Sequence, residues 1–213
     1  SRLSHPNAVL DAGCGTGGYL HWLIANAPVS RAAGIDIAAA AIDFSRERVP
    51  SAELHVGALT HVPFDDDSFD LVVSNAVLQH VDEPEIEASL HELGRVLKPE
   101  GRLLLRTNGS TTLRRERSDW RAYDKATLRQ QLKLADFEVE RITYANMVPS
   151  LWGRLRGRVL HAPREYSPGI PAPDPPLRAA VGSVLLRSEA AVLSRTGISL
   201  PYGHTLFALA RPR

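Results

Sequence analysis

Charge of one sign is what this chain most plainly lacks: 25 lysines and arginines stand against 24 aspartates and glutamates, a formal net charge of +1 over 213 residues. That balance excludes a global attraction to nucleic acid or to an anionic membrane surface. Cysteine is almost absent too. Cys14 is the only one, which excludes an internal disulfide framework and fits a reducing, cytoplasmic setting. No apolar run approaches the roughly 18 residues of a membrane-spanning helix, and Ser1-Arg2-Leu3-Ser4-His5-Pro6 holds no apolar signal-peptide core. Met147 is the sole methionine, so the expectation is a chain processed or trimmed at its front. The histidines form no HExxH pattern or Cys/His cluster, and no metal site is expected.

What is present is alternation. Short apolar runs at residues 7–11, 31–37, 53–56, 69–74, 102–107 and 137–144 read as strands, the fourth (Phe-Asp-Leu-Val-Val-Ser) uninterrupted as in a strand covered on both faces. Helix-length amphipathic stretches fall between them at 19–27, 38–49, 83–97 and 125–135, the first two stopped by Pro28 and Pro50. Lys98-Pro99-Glu100-Gly101 reads as a turn, and residues 204–210 as one last strand. This β-α repetition predicts an α/β fold with a doubly wound, mostly parallel sheet.

Asp11-Ala12-Gly13-Cys14-Gly15-Thr16-Gly17-Gly18 lies between the first strand and the first helix. Glycines there let the backbone turn sharply and approach a ligand at the positive end of a helix. The spacing fits G-x-G-x-G through Gly13, Gly15 and Gly17, and equally the dinucleotide pattern G-x-G-x-x-G through Gly13, Gly15 and Gly18. Asp36, at the end of the second strand, would accept from ribose hydroxyls in either case. Asp11 separates the two. A carboxylate beside the loop repels a pyrophosphate, whereas it favours a cofactor bearing a sulfonium and an α-ammonium. The bland alternative is an aspartate that merely caps the turn.

Three ordered motifs carry a family resemblance. Val9 to Gly17 resembles motif I of the class I S-adenosylmethionine-dependent methyltransferases; Val62 to Val72 is similar to the segment entering their fourth strand, and Leu93 to Leu103 to their helix-turn into the fifth. Together they span roughly residues 7–145, with the ubiquinone- and menaquinone-type branch nearest in pattern. The resemblance implies a seven-stranded sheet of order 3-2-1-4-5-7-6 with strand 7 antiparallel, S-adenosyl-L-methionine as cofactor, and a small-molecule acceptor. It places Gly13, Gly15 and Gly17 under the methionine moiety, Asp11 near its amino group and Asp36 on the ribose. Ile37 would lie against the adenine, Gly57, Ala58 and Leu59 on its other side, and Asn75 and Val77 by the methionine end. The family usually has Asp where this chain has Ala58. Losing that acceptor for the adenine amine implies weaker binding by about 1 kcal/mol.

Methyl transfer asks the protein mainly to aim the nucleophile and exclude water. A general base is needed only where the acceptor must lose a proton. His80, after the fourth strand, is the candidate base, a histidine bonding the following helix being the structural alternative. Trp120, Tyr123 and Trp152 are candidates to face the acceptor. Cys14 reads as a packing residue.

The pattern breaks after Tyr144. Residues 145–203, 59 in number, separate the sixth strand from the last, far beyond an ordinary connection. Residues 146–201 hold a basic amphipathic stretch with an apolar stripe from Leu151 to Leu160, a proline-rich segment and a helix over about 177–195, and read either as a helix packed on the core with a solvated basic face or as a lid, inserted into a single domain of 1–213. Because the sixth strand ends on the ligand face, the insertion starts beside the site; it stands in for the helices that family members carry before strand 1, where only about six residues stand here. Ala58 and that short front also motivate a second reading, a non-catalytic binding or regulatory protein of the same fold. A nicotinamide-dependent dehydrogenase is disfavoured by Asp11. Nucleic-acid methylation is disfavoured by the balanced charge and by the absence of Asn/Asp-Pro-Pro-Tyr/Phe or Pro-Cys after the fourth strand.

Overall fold

Five consecutive buried residues, Ala8–Ala12, form the first strand (β1), and everything else is arranged about it. The computed structural model describes residues 6–109, 121–147, 186, 188–193 and 195–213. In chain order the elements are β1, α1 (Gly18–Asn26), β2 (Arg31–Asp36), α2 (Ala39–Arg48), β3 (Glu53–Val56), β4 (Phe69–Asn75), α3 (Ile86–Arg95), β5 (Leu97–Asn108), α4 (Lys125–Leu134), β6 (Phe137–Ala145) and β7 (Thr205–Pro212). The described strands make one seven-stranded sheet of order β3-β2-β1-β4-β5-β7-β6. β1 to β5 run parallel, and β7 is antiparallel to both β5 and β6, as the motifs imply.

Local chemistry sets the boundaries. α1 stops at Ala27, held extended before Pro28, and α2 stops at Val49 before Pro50. Asp124 caps α4, its side chain accepting from the Thr127 amide at 2.7 Å. The helix expected over 83–97 is shorter. Glu83–Glu85, with Pro84 inside it, is a 3₁₀ turn, and α3 runs only from Ile86 to Arg95. Leu97 already pairs with Phe69, after which four residues containing Pro99 bulge out before Arg102 pairs with Leu71.

The two faces of the sheet are covered differently. Ile86, Leu90 and Leu93 of α3 and Leu128 and Leu132 of α4 join Leu10, Val72, Leu103 and Leu105 in the main core. On the opposite face α1 contributes Leu23 against Val9, Leu71 and Val73. Further along that face, over β5, β7 and β6, the described cover is the helical segment through residues 188–193. It falls within the helix expected over about 177–195. The rest of that expectation, and the apolar stripe from Leu151 to Leu160, lies outside the described residues.

The connection from β3 to β4 carries no helix, yet it is held firmly by one side chain. Arg95 Nη1 donates to the Phe64 carbonyl at 2.9 Å and to Asp66 Oδ1 at 2.7 Å; Nη2 donates to the Val62 carbonyl at 2.9 Å, and Glu92 Oε2 accepts from the Val62 amide at 2.9 Å. The rigid fork of a guanidinium serves several carbonyls at once, which an ammonium cannot reproduce. Arg95→Lys is therefore expected to lower stability by about 1–2 kcal/mol, read from the urea midpoint. Amide exchange should rise first in residues 57–68.

Candidate active site

At the end of β1 the chain must turn back into α1, and three glycines make that turn with φ of 91° (Gly13), 53° (Gly15) and 74° (Gly17). A Cβ on Gly13 would fall inside the Val77 side chain and one on Gly17 on the Ser45 hydroxyl, while Gly15 has open space beside it. Two glycines therefore answer to packing, and the third leaves the backbone bare toward an incoming ligand. The turn is fixed to the end of β2. The Ile35 carbonyl accepts from the Gly13 amide at 2.8 Å and the Cys14 amide at 2.9 Å. Asp36 Oδ2 accepts from the Gly15 amide at 2.8 Å and Oδ1 from the Ala38 amide at 3.0 Å. Each carboxylate oxygen keeps a further lone pair, enough for a pair of ribose hydroxyls.

Asp11 is 1% exposed, and its Oδ1 meets no donor. Burial first, and the neighbouring Asp36 charge second, push its carboxyl up to about 7. An unmatched buried carboxylate beside a bare glycine turn is the donor-hungry group that a cationic ligand would satisfy. The same surroundings keep Cys14 a thiol. Burial, with the Asp11 and Asp36 charges, pushes it up to about 12, and it packs under Gly34.

The remaining candidates ring this turn. Ile37 is 77% exposed at the carboxyl end of β2, an apolar surface beside Asp36. The Gly57 amide donates to the Asp36 carbonyl at 3.0 Å, so the 57–59 segment lies alongside it; Ala58 is half-buried, and Leu59 turns into the main core. After β4, Ala76 takes a φ of 62°, swinging Val77 back against Gly13. Asn75 Oδ1 accepts from Arg106 Nη1 at 3.1 Å. His80 is exposed at the end of the 3₁₀ turn Leu78–His80, its Nε2 3.4 Å from Gln79 Nε2. Tyr123 is in the core rather than on an open wall: its hydroxyl donates to the Leu78 carbonyl at 3.3 Å, from beneath that turn. Trp120 and Trp152 lie outside the described residues.

Gln79, Tyr19 and Arg106 join the candidates from the structure. Gln79 is buried and ties the turn to β5, its Oε1 accepting from the Asn108 amide at 3.1 Å. Tyr19, Asn75 and Arg106 line a cavity of about 220 Å³ with Val73, Leu104 and Phe207. Burial lowers the tendency of Arg106 to hold its proton, and among the described residues no carboxylate pairs with it. The available signal was the even spacing of Arg102 and Arg106 in the strand Arg102-Leu103-Leu104-Leu105-Arg106, which places both arginines on one face.

Residues 10–105 match the family described as "Methyltransferase domain". The match takes in β1 to β5 and the turn between β1 and α1. It is 37% identical over 125 residues to the malonyl-[acyl-carrier protein] O-methyltransferase of Methylococcus capsulatus, covering 57% of this chain and 45% of that protein. A probable S-adenosylmethionine-dependent methyltransferase of Mycolicibacterium smegmatis is 35% identical over 149 residues, 65% of this chain and 56% of that one. The chain thus spans about half the length of these curated relatives. Among solved structures, a TehB-like S-adenosylmethionine-dependent methyltransferase from Corynebacterium glutamicum superposes with a TM-score of 0.58 at 18% identity, covering 97% of this chain and 80% of that one. The [4+2]-cyclase SpnF superposes with a TM-score of 0.64 at 17% identity, covering 100% and 77%. At such identities these two show the fold alone. The cofactor that family and fold imply is S-adenosylmethionine, and the residues present fit it: an unmatched carboxylate at Asp11, open space at Gly15 and free lone pairs on Asp36.

Asp11 makes a pH-dependent prediction for the unliganded protein. The folded state holds the Asp11 proton more tightly than the unfolded chain, with a pKa raised from 3.8 to about 7. Its contribution to stability is therefore present below about pH 4 and lost as pH rises through about 7. Asp11→Asn should raise stability at pH 8 by on the order of 2–4 kcal/mol and leave it nearly unchanged at pH 4. In the same variant affinity for S-adenosylhomocysteine should fall at least tenfold. Unfolding and calorimetric titrations at both pH values check the pair of effects.

Proposed function

We propose that the protein transfers a methyl group from S-adenosylmethionine to a small-molecule acceptor. The observation that carries this reading is the buried, unmatched Asp11 carboxylate set against a bare glycine turn, which suits a cation and opposes a pyrophosphate. When bound, S-adenosylmethionine supplies an activated methyl group on a sulfonium that departs as a neutral thioether. The chain's part is placement. Asp11 and the 13–17 turn hold the amino acid end, and Asp36 holds the ribose. Ile37 and the 57–59 segment flank the base. Asn75, Val77 and the 78–80 turn line the approach of the nucleophile. The lid reading of 146–201, within a single domain, places a cover over that approach. Among the described residues no helix is long and apolar enough to cross a membrane.

Sequence motifs pointed to the quinone-type branch, whereas the Methylococcus capsulatus relative carries the name malonyl-[acyl-carrier protein] O-methyltransferase. That name favours a carboxylate as acceptor. A carboxylate is already deprotonated at neutral pH and attacks without a base, so it gives His80 no proton to remove. If the acceptor is instead a hydroxyl or an activated carbon, His80 is the residue exposed on the turn to take the proton.

Three measurements test the reading. S-adenosylmethionine and S-adenosylhomocysteine should raise the melting temperature, and NAD(H) and NADP(H) should leave it unchanged; stabilisation by a dinucleotide alone would overturn the assignment. Asp36→Ala should weaken cofactor binding by roughly 1.5–3 kcal/mol, the range for hydrogen bonds to a charged group. His80→Ala should leave cofactor affinity intact, and should lower kcat only for an acceptor that must be deprotonated.

A further inference from the structure

One large hollow on the sheet is not used by the cofactor. It measures about 590 Å³ and lies between the face of β5, β7 and β6 and the helical segment through residues 188–193. Leu71, Leu104, Phe207 and Leu209 form its floor, and Leu186 and Leu193 its roof. Register explains the floor. Leu104 sits two residues before Arg106 on β5, Arg106 pairs with Phe207, and Leu209 with Arg141 of β6, so these side chains share one face. Leu104 and Phe207 also line the 220 Å³ cavity that holds Asn75 and Arg106. The two hollows are therefore neighbours across Leu104 and Phe207, and Arg106 lines the smaller one, beside Asn75. A second arginine marks the far side. Arg141 Nη2 donates to the Ile198 carbonyl at 2.8 Å, and its Nε is buried without an acceptor. Arg106 and Arg141 lie two strands apart and two residues out of register, a spacing of roughly 12 Å.

We propose that this groove takes the apolar chain of the methyl acceptor, and that Arg106 in the neighbouring hollow holds the acceptor's carboxylate beside the cofactor. The proposal rests on the methyl-transfer reading and names the acceptor's class: an acid on an apolar chain. The size and apolar lining suit such a molecule, since small-ligand sites occupy about 300–1,000 Å³ and use a few placed polar groups for orientation. Arg106 is suited to the acid because it is half-buried, already oriented by Asn75, and not neutralised by any described carboxylate. The free Arg141 Nε is placed to donate to a carbonyl further along the chain.

The test uses the full chain saturated with S-adenosylhomocysteine and compares decanoate, hexanoate and decanamide by calorimetry. Decanoate should bind at least tenfold more tightly than either hexanoate or decanamide. Arg106→Met should abolish the preference for acid over amide while leaving the S-adenosylhomocysteine Kd within twofold. Leu209→Trp, or Leu209→Phe if the first fails to fold, should abolish the preference for the longer chain and keep that for the acid. Sebacate and its mono-pantetheine thioester separate a free acid from a carrier-held acyl chain; binding of either supports the assignment, and failure of both overturns it. Equal binding of acid and amide overturns it as well. A tenfold loss of S-adenosylhomocysteine affinity in Arg106→Met would move Arg106 to the cofactor and sink the proposal. Failure of the methyl-transfer reading has a different signature: decanoate binds as described, but S-adenosylhomocysteine does not.

Discussion

Everything at the carboxyl edge of this sheet depends on the attachment of the 13–17 turn to the end of β2. One carbonyl, that of Ile35, accepts two consecutive amides, and the next residue's carboxylate accepts a third. Those bonds hold Gly13, Cys14 and Gly15 at a fixed height above β1, and from that height the other placements follow. Gly13 is near enough to Val77 that any side chain would collide, so the segment after β4 closes against it. Gly17 meets Ser45 in the same way, which seats α1 against α2. A change at Asp36 would accordingly be felt in the turn as well as in ligand contacts.

Asp11 shows what such an attachment costs. Placed in a buried row with Val9 and flanked by Val73 of β4, its carboxylate has neither water nor a partner for one oxygen. An isolated buried charge is strongly disfavoured, and the group answers by holding its proton. A site that strains its own empty state has more to gain from a cation than a solvated site would. This is a way of obtaining selectivity without a dedicated ion pair in the resting protein.

How much of this could be read from the sequence differs from residue to residue. The strands and the glycine turn were legible because both are written locally, in apolar runs of fixed length and in glycines clustered between a strand and a helix; the strand order came only with the ordered motifs of the family resemblance. The end of the helix before β5 was misplaced because Leu97 fits either period. Its pairing with Phe69 is a contact across the sheet that no local pattern announces. Tyr123 read as a candidate wall because an aromatic near a strand end suits a pocket as well as a core; only the placement of Leu78 over its hydroxyl decides between them. Arg106 and Gln79 went unremarked for a related reason. Their significance lies in partners on β4 and β5 brought together by parallel pairing.

The insertion leaves the sheet at Ala145 and returns at Thr205, and these two residues are directly paired neighbours on β6 and β7. Asn146 reinforces the junction, its Nδ2 donating to Thr205 Oγ1 at 2.8 Å. A segment whose two ends are already side by side can be lengthened, shortened or exchanged without rethreading any strand, and the entropy of closing it changes only slowly with its length. The two halves of this molecule are thus free to diverge at different rates. The edge that carries the 13–17 turn is constrained by glycines at positive φ, two of them packed against Val77 and Ser45, whereas the segment between β6 and β7 begins and ends at paired residues. A scaffold divided in this way can change the segment between β6 and β7 while the turn at the end of β1 stays as it was.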